Sequence, residues 1–139
     1  MTRSIKGLIA SAAIAGFMIA SPAFAADGDV AKGEKAYKTK CKSCHSIKAN
    51  VKRVGPSLFA IFGRKCGTAA KTRFSKGYKA ACEAKPFTWD EALVNEYIEA
   101  PAKFMTKMAG KKVSSPMRAV KIKKEKRRAN IIAFLKTLK

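Results

Sequence analysis

The sequence predicts an all-α fold, and three observations carry that reading. The C-terminal stretch Lys124–Leu138 places Ala129, Ile131, Ile132, Phe134, Leu135 and Leu138 at helical spacing. A second periodic stretch, near residue 30, follows aspartates suited to capping a helix. No pair of segments alternates apolar and polar residues as two half-buried strands would.

Along the chain, Asp27 or Asp29 can cap a first helix running to about Lys40, with Val30, Gly33, Ala36 and Tyr37 on one face. Gly55-Pro56, Gly63, Gly67 and Gly77 punctuate the next stretch, Cys41 to Lys85. It reads as loops with a short helical turn over Ser57–Phe62. Thr88-Trp89-Asp90-Glu91 has capping-box spacing and opens a helix through Glu99, which Pro101 ends or re-initiates. Phe104 to Ala109 forms another turn, Gly110 to Ile122 a long basic loop, and Lys124 to Leu138 the last helix. The expectation is three to five helices.

The 139 residues allow one domain. Arg3 and Lys6 precede an apolar run, Leu8 to Ala20, and Ser21-Pro22-Ala23-Phe24-Ala25 ends in an A-x-A cleavage site. The run is shorter than the ~20 residues a membrane-spanning helix needs. Residues 1–25 therefore read as a secretory signal peptide and 26–139 as the mature domain. The formal net charge is +21 from 30 basic and 9 acidic residues; without Arg3 and Lys6 it is +19. That imbalance speaks to partners rather than fold. Export to a periplasm argues against nucleic acid and for an acidic protein surface or an anionic membrane face.

Cys41-Lys42-Ser43-Cys44-His45 is a haem-attachment pattern. Two thiols three residues apart can each add across one haem vinyl group, and the adjacent histidine can donate a ring nitrogen to the iron. A zinc site would need two more ligands, yet the chain has one histidine and no second C-x-x-C. A thioredoxin-like dithiol would need a preceding strand, and a helix precedes here.

The chain resembles the class I cytochromes c, particularly the soluble bacterial carriers similar to mitochondrial cytochrome c, over nearly all of 27–139. The resemblance rests on Gly33 and Tyr37 in the first helix, and on Ile131, Phe134 and Leu135 in the last. Gly55-Pro56-Ser57-Leu58 through Gly63-Arg64, and Phe87-Thr88-Trp89, extend it. It implies one covalent haem c, with the terminal helices crossing. It also implies that the Pro56 carbonyl accepts the His45 imidazole proton, that Arg64 and Trp89 lie near the haem propionates, and that Tyr97 stands beside the far side of the iron. The resemblance further implies a methionine as second axial ligand. Met117, after Pro116 in an irregular loop, matches the longer ligand loop of bacterial members; Met108 in Thr106-Lys107-Met108 is the second choice. Met105 and Met108, at i and i+3, have the spacing of packed helix residues.

Cys66 and Cys82 depart from the common pattern. In an oxidising compartment they are expected to form a disulfide, worth about 3 kcal/mol by loop closure. The basic loop they bracket lacks a clear equivalent of the family's propionate-binding tyrosines, since Phe74 has no hydroxyl. Lys38, Lys40, Lys42, Lys48, Lys52 and Arg53 surround the attachment motif, and Lys103, Lys107, Lys111 and Lys112 flank the far-side loop. Those groups suit docking to an acidic redox partner such as a dehydrogenase, reaction centre or oxidase. The basic cluster from Arg118 to Arg128 reads either as a second contact surface or as a charged helix end. The expected function is one-electron transfer by a periplasmic monomer, not an enzyme. Its rivals are a haem enzyme or ligand sensor with an open iron position, and a basic structural or nucleic-acid-binding protein.

Overall fold

The structure is a computed structural model that describes residues 28–117 and 119–139. The expected signal peptide, the cap at Asp27 and Arg118 lie outside the described residues. Among the described residues there are five helices: α1 (Val30–Lys40), α2 (Lys76–Ala84), α3 (Glu91–Glu99), α4 (Pro101–Ala109) and α5 (Glu125–Lys136). Among the described residues there is no strand, only an isolated antiparallel bridge between Lys65 and Thr88.

The first and last helices cross as expected. Asp29 caps α1 by accepting the Lys32 N–H at 2.9 Å. Gly33 is required at the crossing, because a Cβ there would stand 2.0 Å from the Asn130 carbonyl oxygen. The missing side chain lets α1 and α5 approach until Tyr37 packs on Phe134, ring centroids 5.5 Å apart. Val30, expected on the apolar face, is exposed, and α5 is shorter than expected at both ends.

Four local expectations change, one of them at α4, which runs as a helix from Pro101 where only a turn over Phe104–Ala109 was expected. Ser57–Phe62 forms turns rather than a helical turn, because its backbone bonds to distant partners: Leu58 N–H to Ser46 and Ala60 N–H to Leu138. The cap of α3 is Asp90, which accepts the Leu93 N–H at 2.7 Å, while Thr88 is held in the bridge to Lys65. And α2 occupies a stretch expected to be loop. It buries only Ala81 and contains a glycine, so it carries little helical signal. It is held instead by the Cys66–Cys82 disulfide, Cα atoms 5.5 Å apart, and by packing on α4. Gly77 lets the chain at Ser114 lie against α2; a Cβ would come 2.5 Å from the Ser114 carbonyl oxygen.

Pro101 starts α4 with only Ala100 between it and the end of α3, a position where its missing N–H costs nothing. The core runs from Trp89 through Phe104, Met105 and Met108 to Ile131, Ile132 and Leu135.

Candidate functional site: the attachment turn and its aromatic wall

Cys41 ends α1, and the next turns fold tightly. The N–H groups of Cys44 and His45 both donate to the Cys41 carbonyl, at 3.0 and 2.8 Å. The two free thiols and the imidazole are therefore set by one turn at the end of a packed helix. The Tyr37 hydroxyl fixes that turn by donating to the His45 carbonyl at 2.8 Å.

The imidazole is buried, with Nδ1 2.7 Å from the Pro56 carbonyl oxygen. A carbonyl only accepts, so Nδ1 carries the proton and Nε2 keeps its lone pair. Burial lowers the His45 pKa from its ordinary value, opposed by the Pro56 bond, so the ring is neutral at neutral pH. Gly55 backs the ring: a Cβ there would meet His45 Cε1 at 2.4 Å. The Gly55 N–H in turn donates to the Cys44 carbonyl at 2.8 Å.

This donor set fits a haem better than the other readings. Burial, with a smaller contribution from Cys44, pushes the Cys41 thiol up to about 11. A redox dithiol needs the opposite shift. Among the described residues no group of three or more His, Cys, Asp or Glu side chains converges to hold a metal ion, so a zinc site lacks its ligands. A neutral imidazole with a fixed tautomer and a free Nε2, beside two unpaired half-buried thiols, is what covalent haem attachment and axial ligation require.

An aromatic wall fills the rest of the interior. Trp89 stacks on Phe104 at 5.8 Å and leans on Tyr97 at 5.2 Å. The segment carrying Trp89 is zipped to the one carrying Arg64: Trp89 N–H donates to the Arg64 carbonyl at 2.9 Å, and Gly63 N–H to the Trp89 carbonyl at 2.8 Å. The Arg64 guanidinium donates to the carbonyls of Ser57, at 2.7 Å, and Phe59, which locks the segment after Pro56. A cavity of about 510 Å³ opens beside Arg64, lined also by Asn50, Ser57, Phe59 and Phe62, and includes none of the attachment residues.

Sequence reasoning missed two residues. Tyr78, on α2, supplies the hydroxyl thought absent from this loop. Burial raises its pKa, while the Trp89 indole, the Gly67 backbone and the nearby Arg64 oppose that rise. Ser115, 1% exposed, accepts the Met117 N–H at 3.2 Å and lies near enough to the Tyr97 hydroxyl to oppose the rise of its pKa. Burial pushes Tyr97 up to about 12. The Ser-Ser-Pro-Met run was the only sequence sign of Ser115; its neighbour Tyr97 lies on another element.

Met117 is half-buried in the irregular segment between α4 and α5, its carbonyl accepting the Val120 N–H at 2.8 Å. Met105 and Met108 lie within α4 and belong to the core. Of the lysines expected to ring the site, Lys107 is paired with Glu96 at 2.8 Å and Lys38 with Glu34 at 2.7 Å. Among the described residues Lys42, Lys48, Lys52, Lys111 and Lys112 pair with no carboxylate.

The cytochrome c family profile matches residues 30–139. Cytochrome c2 of Rhodospirillum rubrum is 35% identical over 135 residues, 96% of this chain and 98% of that protein. Cytochrome c-550 of Novispirillum itersonii is 40% identical over 113 residues, 81% of this chain and 100% of that protein. The crystal structure of cytochrome c2 from Paracoccus denitrificans superposes with a TM-score of 0.71 at 34% identity, over 80% of this chain and 96% of that one. The chain belongs to the cytochrome c family, electron-transfer proteins rather than enzymes, whose cofactor is one covalently bound haem c.

Proposed function

We propose that this protein is a monomeric periplasmic carrier that shuttles single electrons between a donor and an acceptor redox protein. The observation that carries the reading is the His45 imidazole. It is neutral, its Nδ1 is tied to the Pro56 carbonyl at 2.7 Å, and its Nε2 is free beside Cys41 and Cys44. Bound haem c supplies a one-electron iron couple. The chain's own residues would hold it: Cys41 and Cys44 would anchor it covalently and His45 Nε2 would ligate the iron.

Met117 is the proposed second ligand. Its support is its place in an irregular segment held by Ser115, whereas Met108 is committed to the α4 core. Arg64, Trp89 and Tyr97 line the interior that would receive the propionates and the far side of the iron. Ligation by both His45 and Met117 would leave little to rearrange when an electron moves. The A-x-A signal peptide supports export, and the unpaired lysines around the attachment turn support an acidic partner such as a dehydrogenase, reaction centre or oxidase, with transient contact to an anionic membrane surface.

Carbon monoxide tests the closed site. The reduced holoprotein should show no spectral change on exposure, while Met117→Leu should take up the gas. Rapid uptake by the unaltered protein would instead indicate an open iron position and a ligand-binding or catalytic role.

A further inference from the structure

Helix α2 has little of its own to hold it. It buries one side chain, Ala81, and carries Gly77 in its first turn, so burial and propensity do little to fix its place. Ser75 caps it by accepting the Tyr78 N–H at 3.2 Å, and Cys82 in its last turn is bonded to Cys66. Cys66 stands on firm backbone. Its N–H donates to the Phe87 carbonyl at 2.9 Å, beside the Lys65–Thr88 bridge and the Trp89–Arg64 bond. The disulfide thus ties a weak helix to the strip of chain that leads into buried Trp89.

The start of α2 touches the segment that carries the proposed second iron ligand. A Cβ at Gly77 would stand 2.5 Å from the Ser114 carbonyl oxygen and 3.1 Å from Val113 Cβ, so the two backbones are in direct contact. From Val113 the chain runs to Ser115, which is buried and accepts the Met117 N–H at 3.2 Å. Its bonds to α4 are long: Thr106 Oγ1 and the Val113 backbone exchange contacts of 3.4 and 3.5 Å. Hydrogen bonds of that length hold weakly. The contact with α2 is the tighter brace.

We propose that the Cys66–Cys82 disulfide is a positioning device for the iron's far side: it holds α2, and α2 braces the segment that presents Met117. This role rests on the proposed ligation by Met117 and adds to it the two residues that keep the ligand in place. With the disulfide open, α2 is free to move off Ser114, and Met117 is held less firmly. Both cysteines are half-buried, so a small dithiol reaches them. It opens the bond by exchange: the reagent's two thiols become one disulfide, while two electrons and two protons pass to Cys66 and Cys82.

Carbon monoxide uptake by the ferrous holoprotein tests this, since uptake requires Met117 to leave. Ascorbate reduces the iron and leaves the disulfide closed; dithiothreitol then opens it, with two new thiols by titration. Opening should speed uptake by about tenfold or more over the closed form, the factor that about 1.4 kcal/mol of lost bracing gives. Cys66→Ser with Cys82→Ser should show the fast rate without dithiothreitol and no further response to it. Ile132→Ala, a core truncation in α5 of comparable cost to stability, should change the rate by less than about twofold. Gly77→Ala should speed uptake because its Cβ displaces Ser114, and opening the disulfide in that variant should add less than about twofold. Amide exchange at 113–115 should quicken together with that of α2. Unchanged uptake on opening, an equal rise in Ile132→Ala, or fully additive effects in Gly77→Ala would each overturn the proposal. Rapid uptake by the unaltered protein with its disulfide closed would overturn ligation by Met117 and this role with it, a result distinct from the other three.

Discussion

A single added methyl group tests how the imidazole is held. Alanine at position 55 would put its Cβ 2.4 Å from His45 Cε1, so the ring or the backbone must shift. Gly55→Ala should cost about 1–3 kcal/mol of stability as an overpacked site, read as a lower melting temperature with an altered haem spectrum. An unchanged spectrum and melt would mean that the ring does not depend on this contact. The methionines separate just as cleanly. Met117→Leu should lower the reduction potential and abolish the thioether-to-iron absorption band. Met108→Leu, a volume-conserving change in the α4 core, should leave both in place and cost less than about 1.5 kcal/mol. Tyr97 gives a pH signature. Its folded pKa is raised from 10.0 to about 12, so the unfolded chain ionises first. The stability it contributes, on the order of 2–3 kcal/mol, is complete below pH 10 and lost as pH rises towards 12. Tyr97→Phe should flatten the alkaline decline of stability in that window. The attachment motif was legible because its residues are consecutive, and Pro56 because Gly55-Pro56-Ser57-Leu58 carries the family resemblance. Tyr78 and Ser115 were not, because Trp89 and Tyr97, which they meet, come from other elements.

At the scale of elements, local pattern read the first, third and last helices, but took α4, despite its buried face of Phe104, Met105 and Met108, for a turn over Phe104–Ala109. α1 and α5 each have an apolar face of their own, and Gly33 marked their crossing. α2 does not: one buried residue and an internal glycine leave no periodic signal, and its stability is tertiary. Thr88 misled because its capping-box spacing coexists with a better cap two residues on, and the bridge to Lys65 claims it. Removing the disulfide should therefore act on α2 first. Cys66→Ala with Cys82→Ala should lower stability by about 3 kcal/mol and speed amide exchange in 76–84 more than in α1 or α5. Equal exchange in all three helices would show that packing on α4, not the disulfide, holds α2.

For the molecule as a whole, charge is the dominant property and the one least tied to fold. The formal charge, +21 in the full sequence and +19 without Arg3 and Lys6, would draw the proposed acidic partner at long range, chiefly through the association rate. Electron transfer to such a partner should slow steeply with ionic strength. Lys42→Ala with Lys48→Ala should slow it more than Lys85→Ala with Lys139→Ala, because the first pair borders the attachment turn. Equal slowing would mean that net charge alone steers the encounter. The sequence displayed this charge in full but could not distribute it. Lys107 and Lys38 proved to be paired, while Lys124, Lys126 and Arg127 proved to line one groove with Lys32, Lys35 and Lys40 of α1.

All of this depends on covalent attachment at Cys41 and Cys44. Intact mass of the denatured protein, purified from a host with cytochrome maturation machinery, tests it most directly. The mass should exceed that of the polypeptide by one haem, and Cys41→Ala with Cys44→Ala should remove the increment and the colour together. A colourless chain of bare polypeptide mass from the unaltered sequence would contradict the account at its root.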